Sequence, residues 1–215
     1  MRRSEKIQAE ISETARLETL SDGVFSIAVT LLIIDVVTTG KNVGSGESLA
    51  EHLLCEWHTL VAYLVGFLTI LVCWINHHQV FKYIKRSNSG LLWVNGFQLS
   101  LAAAVPLPTA LLASHFRGPD SKTALIIYGL TYVLMAISFS SLWGYAVRFG
   151  LTDAGVDPAG HVGMGRIYHF SVVWTLLCLG AVMLSPLLAA VLWTVMFIVF
   201  AFPREFSRFM VNGRF

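Results

Sequence analysis

The chain has 215 residues, of which 55% are hydrophobic and only 13% carry a formal charge. Soluble domains carry about 25% charged residues, so the polar surface available here is too small to cover a globule in water. The composition therefore excludes an ordinary soluble domain and predicts an all-α integral membrane protein. The net charge of +2 says little by itself, because the positions of lysine and arginine carry the topological information.

Six apolar segments follow along the chain, each close to the roughly 20 residues that a helix needs to cross a bilayer. They cover residues 21–37, 59–80, 90–114, 123–147, 167–184 and 186–202. Pro106 and Pro108 lie inside the third segment and predict a kink there. Ser185 and Pro186 alone separate the last two segments, so one long kinked helix is an alternative at this boundary.

The placement of lysine and arginine favours six spans over five. If the N-terminus is cytoplasmic, 12 of the 15 lysines and arginines lie on the inner side of the membrane and three on the outer side. This distribution agrees with the positive-inside rule, whereas five spans would move the C-terminal arginines outside. We therefore expect a cytoplasmic lead-in over 1–20, a transmembrane domain over 21–203 and a cytoplasmic tail over 204–215.

Motifs that indicate catalysis or nucleotide binding are missing from the sequence. It contains no Walker A loop, no G-x-S-x-G and no H-E-x-x-H, so we expect no enzyme and no bound cofactor or metal. The positive charge is spread over loop ends rather than gathered into a stripe, so we expect no nucleic-acid partner. The T-V-G-Y-G filter of potassium channels is also missing, and a channel with this sequence would have to select ions in another way.

The first span carries a stripe of side chains that share one helix face. Ile27, Thr30, Leu31 and Ile34 lie at i, i+3, i+4 and i+7. Packing against a neighbouring helix is the ordinary role of such a stripe. The alternative is that several copies of this helix surround an axis, so that each residue forms a ring. Apolar rings constrict and dehydrate the path of an ion, and threonine hydroxyls can replace some of its lost water.

Polar residues stand at the cytoplasmic mouth of the same span. Asp22 suits an N-terminal cap, since a carboxylate satisfies free amides at the positive end of a helix. The alternative is that Arg16, Ser21 and Asp22 bind other helices. Arg16 lies six residues before Asp22, which does not match the i+3 or i+4 spacing of an intrahelical pair. We therefore expect each of these residues to find its partner on another helix.

Trp74, His77 and His78 cluster near the inner end of the second span. Adjacent histidines point about 100° apart on a helix and chelate one metal poorly, so a metal or haem site would need His169 from the fifth span. Hydrogen bonding of these side chains to the mouth of the first span is the favoured interpretation. A proton-coupled transporter that uses Asp22 and His77 as a relay stays open as an alternative.

Three motifs resemble one known family. "RLETLSDGVFSIAVTLLIIDV" is similar to the R-x-x-x-F-S-D first-span motif of the transmembrane protein 175 potassium channels, with Leu20 where that motif has phenylalanine. "WINHH" resembles the W-x-x-H-H element of the second span in this family. "WVNGFQLSLAAAVPLPTALL" resembles the third span, which begins with Trp–Asn and ends in proline.

The resemblance implies a potassium-selective leak channel, a homotetramer of six-span subunits whose pore is lined by the first helix. Such a protein would reside in the bacterial inner membrane, with K⁺, lipid and further copies of itself as its partners. The family's narrowest apolar ring corresponds to Ile27, its threonine layer to Thr30, and further pore positions to Leu31 and Ile34. Its anchoring network corresponds to Arg16, Asp22, Trp74 and His77, with Ser21 and His78 adjoining.

Overall fold

The computed structural model describes residues 2–41, 48–115, 118–153 and 158–202, and the secondary structure of these ranges is helical apart from one isolated bridge. The helices in these ranges are α1 (Arg2–Leu31), α2 (Ile33–Lys41), α3 (Leu49–Cys55), α4 (Trp57–Tyr83), α5 (Ser89–Ala104), α6 (Pro106–Ser114), α7 (Ser121–Arg148), α8 (Pro158–Leu184) and α9 (Pro186–Ala201). The prediction of an all-α membrane protein is confirmed.

Within the described ranges, five helical segments are long and apolar enough to cross a membrane. They are Thr14–Lys41, Trp57–Tyr83, Ser89–Ser114, Ser121–Arg148 and Val162–Leu184, and they coincide with the first five predicted spans. The sixth predicted span corresponds to α9, which has 16 residues. At 1.5 Å per residue it is about 24 Å long, shorter than the roughly 30 Å of a bilayer's hydrocarbon core.

The first span continues directly from the predicted lead-in. Helix α1 begins at Arg2 and runs without a break through residues 20 and 21, where we expected the domain boundary. The chain leaves helical geometry only briefly at Leu32, and α2 follows. The predicted cytoplasmic tail, 204–215, lies outside the described residues.

The predicted kink in the third span is an interruption between α5 and α6 at Val105. Pro106 is the first residue of α6 and has no N–H to donate to the carbonyl of Ala102. The amide of Val105 donates to that carbonyl instead, at 3.3 Å, which tightens the last turn of α5.

The last two segments form separate helices rather than one kinked helix. Ser185 has an extended backbone, and its hydroxyl accepts a hydrogen bond from the amide of Leu188 at 3.4 Å as the N-cap of α9. Helices α8 and α9 then pack against each other. The indole N–H of Trp174 donates to the carbonyl of Leu192 at 3.0 Å, and Ala181 packs near Ala189, so the two helices are antiparallel.

Two linkers on the same side of the bundle are joined by backbone hydrogen bonds, and we call residues 84–88 and 149–153 the linker clasp. The amides of Lys85 and Arg86 both donate to the carbonyl of Leu151, at 3.0 and 3.1 Å. Two residues after the end of α7, Gly150 has a φ of +61°, a conformation that favours glycine.

The hydrophobic core lies between α1, α4, α5, α7 and α8. Its fully buried large side chains include Leu32, Ile70, Phe81, Leu91, Leu142 and Tyr168. Gly66 permits the close approach of α4 to Leu32, because a Cβ added there would lie 3.1 Å from a methyl carbon of that leucine. The core therefore supports one side of the first span from behind.

Candidate pore helix and its anchoring site

The predicted stripe lies on the side of the first span that faces away from the subunit. Ile27 is 62% exposed, Leu31 42% and Ile34 53%, and Thr30 is exposed as well. The helix interruption at Leu32 falls between Leu31 and Ile34, so the stripe crosses from α1 into α2. The structure brings all four predicted residues onto one outer surface of the subunit.

The opposite side of α1 is packed against α4 and α5. Phe25, Ala28 and Leu32 are at most 2% exposed and belong to the hydrophobic core. These three residues share one helix face. At 100° per residue, this face lies about 150° around the helix axis from the stripe. One side of the first span therefore binds the rest of the subunit, and the other side is left for contacts beyond it.

The hydroxyl of Thr30 has a defined orientation. It donates a hydrogen bond to the carbonyl oxygen of Ile27 at 2.9 Å. A hydroxyl has a single hydrogen and two acceptor lone pairs, so this bond uses the hydrogen of Thr30 and leaves its oxygen able to accept. The exposed group that Thr30 presents is therefore an acceptor, the kind of group that can contact a cation.

A buried chain of hydrogen bonds connects α1, α5 and α4. The Nε2–H of His77 donates to Oδ1 of Asn95 at 2.8 Å, and Nδ2 of Asn95 donates to the hydroxyl oxygen of Ser21 at 3.1 Å. The Ser21 hydroxyl donates in turn to the carbonyl of Leu17 at 2.8 Å. Ser21 and Asn95 are fully buried and His77 is 2% exposed, so these bonds form out of contact with solvent.

A second connection lies at the exposed edge of the same site. The indole N–H of Trp74 donates to Oδ1 of Asp22 at 2.8 Å. The ring of His78 stacks on the ring of Trp74, with centroids 5.8 Å apart and planes 11° from parallel. Trp74 is thereby held between α1 and the next turn of its own helix, and it joins the second span to the first at Asp22.

The imidazole of His77 is also enclosed by aromatic rings. It stacks on Phe81 at a centroid distance of 4.5 Å and meets Phe25 in an edge-to-face arrangement at 5.4 Å. Aromatic pairs of these geometries contribute about 0.5–1.5 kcal/mol beyond the area they bury. His77 is therefore fixed by a polar contact to Asn95 on α5 and by an apolar contact to Phe25 on α1.

Arg16 is the one predicted member of this network that the structure does not bring to it. Its side chain is exposed, and the described residues include no hydrogen-bond or ion-pair partner for it. Its role in anchoring the first span stays a prediction.

The structure adds Asn95, which sequence reasoning did not assign to the site. A polar residue within an apolar span usually faces the interior of the bundle, and that signal was available in the sequence. Gln98 lies one turn further along α5, is fully buried, and its amide group has no hydrogen-bond partner among the described residues. The sequence could indicate that these residues are buried, but not that Asn95 joins two other helices.

The histidines of the metal alternative are engaged separately. His77 is bonded to Asn95 through Nε2, and Nδ1 of His169 donates to the carbonyl of Gly165 in its own helix at 2.7 Å. Within the described ranges, no group of three or more His, Cys, Asp or Glu side chains is placed to hold a metal ion.

Comparisons with known proteins point to one family. The family model described as "Endosomal/lysosomal potassium channel TMEM175" matches residues 16–106, which include the stripe and the anchoring residues. A potassium channel of Streptomyces collinus is 44% identical over 149 residues, which is 68% of this chain and 71% of that protein. A potassium channel of Chamaesiphon minutus is 39% identical over 137 residues, which is 64% of this chain and 68% of that protein.

A solved structure matches over most of the chain. The crystal structure of a lysosomal potassium-selective channel TMEM175 homolog from Chamaesiphon minutus superposes with a TM-score of 0.75 at 31% sequence identity. The match covers 88% of this chain and 97% of that chain. The similarity therefore extends beyond the 16–106 segment to the later helices.

Proposed function

The chain belongs to the TMEM175 family, and from that premise we propose that it is a potassium-selective leak channel of a bacterial inner membrane. Its relatives from Streptomyces collinus and Chamaesiphon minutus are named potassium channels. We infer that K⁺ is the conducted species. Conduction of this kind needs neither an enzymatic reaction nor a resident cofactor.

One observation supports the location of the ion path. The first span is packed into the subunit on the side that contains Phe25 and Leu32, while the apolar stripe that begins at Ile27 is exposed. A stripe on a single helix cannot enclose an ion, so the path needs several copies of the helix around an axis. We propose a homotetramer in which each subunit contributes one first span.

In this arrangement the exposed stripe forms successive rings. Ile27, Leu31 and Ile34 give apolar rings, which oblige an ion to shed part of its hydration shell. The oxygen of Thr30 is free to accept, because its hydrogen is bonded to Ile27, and it replaces part of the lost water. Since K⁺ holds its water less tightly than Na⁺, such a constriction favours K⁺.

The buried hydrogen bonds give the pore helix a fixed position. The links from Ser21 to Asn95 and from Asp22 to Trp74 attach the inner end of the first span to α5 and α4. A rigid support matters because the width of an apolar constriction decides whether it conducts or dewets. The anchoring site therefore acts on conduction through the position of α1 and does not contact the ion.

We also propose that α9 crosses the membrane as a sixth span. The antiparallel packing of α9 on α8 returns the chain toward the side from which α8 entered, and local thinning accommodates a helix somewhat shorter than the bilayer core. The positive-inside rule then places both termini in the cytoplasm. The channel domain would cover 21–203, between the segments 1–20 and 204–215.

The constriction is tested by Ile27→Asn, with Ile33→Asn as the matched control. Both isoleucines are exposed, but Ile33 lies about 120° around the helix from Ile27 at 100° per residue. The full-length protein is reconstituted in a planar bilayer with K⁺ on one side and Na⁺ on the other. We expect Ile27→Asn to hydrate the constriction and shift the reversal potential toward zero, while Ile33→Asn keeps the wild-type value.

Two results would contradict the proposal. An unchanged current and reversal potential in Ile27→Asn would show that Ile27 does not form the constriction. A wild-type flux that saturates, with a reversal potential that ignores the K⁺ gradient, would favour the proton-coupled transporter that uses Asp22 and His77.

A further inference from the structure

A large cavity lies inside the subunit, away from the first span. It has a volume of about 800 Å³ and is enclosed by side chains from α4, α6, α7, α8 and α9. Pockets that bind small molecules measure about 300–1,000 Å³, so this cavity is of ligand size. Its walls are mainly apolar and include Val72, Met135, Phe139 and Phe197.

Four buried polar atoms in the cavity wall have no hydrogen-bond partner among the described residues. They are the hydroxyls of Tyr132 and Tyr168, Oδ1 of Asn76 and the indole N–H of Trp193. Tyr168 is 1% exposed and Asn76 is 2% exposed. A buried polar atom without a partner is costly, and an occupant with a hydrogen-bonding group would remove that cost.

The polar atoms define what the occupant must offer. Nδ2 of Asn76 donates hydrogen bonds to the carbonyls of Val72 and Phe200. The remaining polar atom of this side chain, Oδ1, is a carbonyl oxygen and can only accept. The hydroxyl of Tyr168 can donate. A hydroxyl group on the occupant offers both functions, since it can donate to an acceptor such as Oδ1 of Asn76 and accept from a donor such as the hydroxyl of Tyr168.

The charge of the occupant is restricted as well. The described residues that line the cavity include no Asp, Glu, Lys, Arg or His. An ionised carboxylate or phosphate would therefore be desolvated there without a compensating charge, which is strongly unfavourable. This argues against a fatty-acid anion or a phospholipid head group within the cavity.

The cavity can be reached from the surface of the bundle. Val65 and Leu68 on α4 line it and are 44% and 43% exposed. A hydrocarbon chain that enters between such side chains exchanges one apolar environment for another and does not cross a polar barrier. The membrane itself is therefore a suitable source of the occupant.

We propose that this cavity binds a neutral single-chain amphiphile, a hydrocarbon chain that carries a hydroxyl head group. The hydroxyl bonds with Asn76 and Tyr168, and the chain packs on the apolar walls formed by residues such as Met135 and Phe139. This site is separate from the ion path and does not depend on the proposed conduction.

Photolabelling in lipid bilayers tests the proposal. The full-length protein in phosphatidylcholine nanodiscs is irradiated with a dodecanol that carries a diazirine on its chain, and labelled peptides are mapped by mass spectrometry. We expect label on lining residues of α7 and α8. Unlabelled 1-dodecanol should compete severalfold better than dodecane, which lacks the head group.

Two variants separate head-group recognition from shape. Tyr168→Phe removes a hydroxyl that has no protein hydrogen-bond partner in the described structure, so the variant should fold. Dodecanol should compete about three- to tenfold less well in this variant. Tyr63→Phe, which removes a hydroxyl away from the cavity, should leave competition unchanged. Ala136→Phe fills the cavity and should abolish labelling, whereas Ile137→Phe, at its exposed neighbour, should not.

Each contrary result has a definite meaning. Unlabelled lining peptides would overturn the proposal and indicate that the cavity holds water or a phospholipid chain. Equal competition by dodecane and dodecanol, or an unchanged competition in Tyr168→Phe, would overturn head-group recognition. If Ala136→Phe does not fold, the comparison between Tyr168→Phe and Tyr63→Phe still decides the matter.

Discussion

The first span and α7 are similar in hydropathy but different in burial. Of the apolar window of Thr14–Lys41, 22% is buried inside the subunit, whereas 50% of the window of Ser121–Arg148 is buried. Mean hydropathy identifies both as spans because it measures compatibility with an apolar surrounding. It does not distinguish a helix that packs the core from one whose apolar side chains contact lipid, another subunit or an ion path.

The buried part of each span is organised differently. On α7, which packs against α5 and α8, buried side chains such as Tyr132, Phe139 and Leu142 occur along most of the helix. On the first span, burial is confined to one side and includes the fully buried Ser21. The position of α7 therefore depends on packing, whereas that of the first span depends on packing together with a few specific hydrogen bonds.

The largest effect that this comparison predicts is on stability in α7. Leu142→Ala leaves a cavity at a side chain that is fully buried, and we expect a loss of about 2 kcal/mol or more in the free energy of unfolding. The value lies toward the low end for buried leucines, because lipid rather than water surrounds the separated helices. Ile27→Ala, on the exposed stripe, should cost less than about 0.5 kcal/mol.

Reversible unfolding in mixed detergent micelles measures both changes. Leu134→Ala is the matched control on α7, since Leu134 is 43% exposed and should behave like Ile27. A cost for Ile27→Ala equal to that for Leu142→Ala would show that the stripe supports the fold in the same way as the core.

A smaller effect is expected for the hydrogen bonds behind the first span. Asn95→Ala removes the link to Ser21 and leaves the buried Nε2–H of His77 without its acceptor, which should cost about 1–3 kcal/mol. A double-mutant cycle with Ser21→Ala should give a coupling energy of about 0.6–1.7 kcal/mol, the range found for interhelical hydrogen bonds in membranes.

The same unfolding assay measures this cycle, with Ser100→Ala as the control variant. Ser100 is exposed on α5 and bonds the carbonyl of Phe97 in its own helix, so it should show no coupling to Ser21. Additive costs for Ser21→Ala and Asn95→Ala would mean that their hydrogen bond does not stabilise the attachment of α1.

The smallest effect concerns α3, which contacts the C-terminal end of the first span: Nε2 of His52 lies 2.9 Å from the carbonyl oxygen of Thr39. Glu51 accepts hydrogen bonds from the hydroxyl and the amide of Ser48, and these bonds lower the pKa of Glu51 below its usual range. Because the pKa of Glu51 is lower in the folded state than in the unfolded state, these bonds stabilise the folded state at pH values above the unfolded-state pKa. This stabilisation is lost as the pH falls through the folded-state pKa.

An NMR titration of labelled glutamate side chains checks this expectation. In Ser48→Ala the pKa of Glu51 should rise toward the usual value of about 4.3. Ser114→Ala, at an exposed serine that bonds its own helix, should leave the pKa of Glu51 unchanged. An equally low pKa in Ser48→Ala would show that the hydroxyl of Ser48 does not govern this carboxylate.

The sequence was sufficient to place five spans and the interruptions at Pro106 and Pro186, but not the interruption at Leu32. Apolar runs determine where a helix can cross, and Pro106 and Pro186 break helices because proline has no amide hydrogen. It was not sufficient for the start of α1 at Arg2, since a charged segment outside the bilayer carries no apolar signal at its boundary.

The candidate site, too, could be predicted from the sequence only in part. The periodicity of Ile27 and Leu31 was visible in the sequence, because one helix fixes which of its residues share a face. The role of Asn95 was not visible, because its partners His77 and Ser21 are 18 and 74 residues away along the chain. Contacts between helices depend on how the helices are rotated in the bundle, which no local pattern records.

The linker clasp has a consequence for the order in which the protein is made. The bonds that attach the first span involve residues no later than Asn95, so they can form while the ribosome is still synthesising the second half of the chain. The carbonyl of Tyr83 must wait for the amide of Asp153, its partner at 2.8 Å. The ends of α4 and α7 that meet at the linker clasp are therefore joined only after about 70 further residues have emerged. A translation product truncated at residue 148 would retain the anchored first helix but lack this closure.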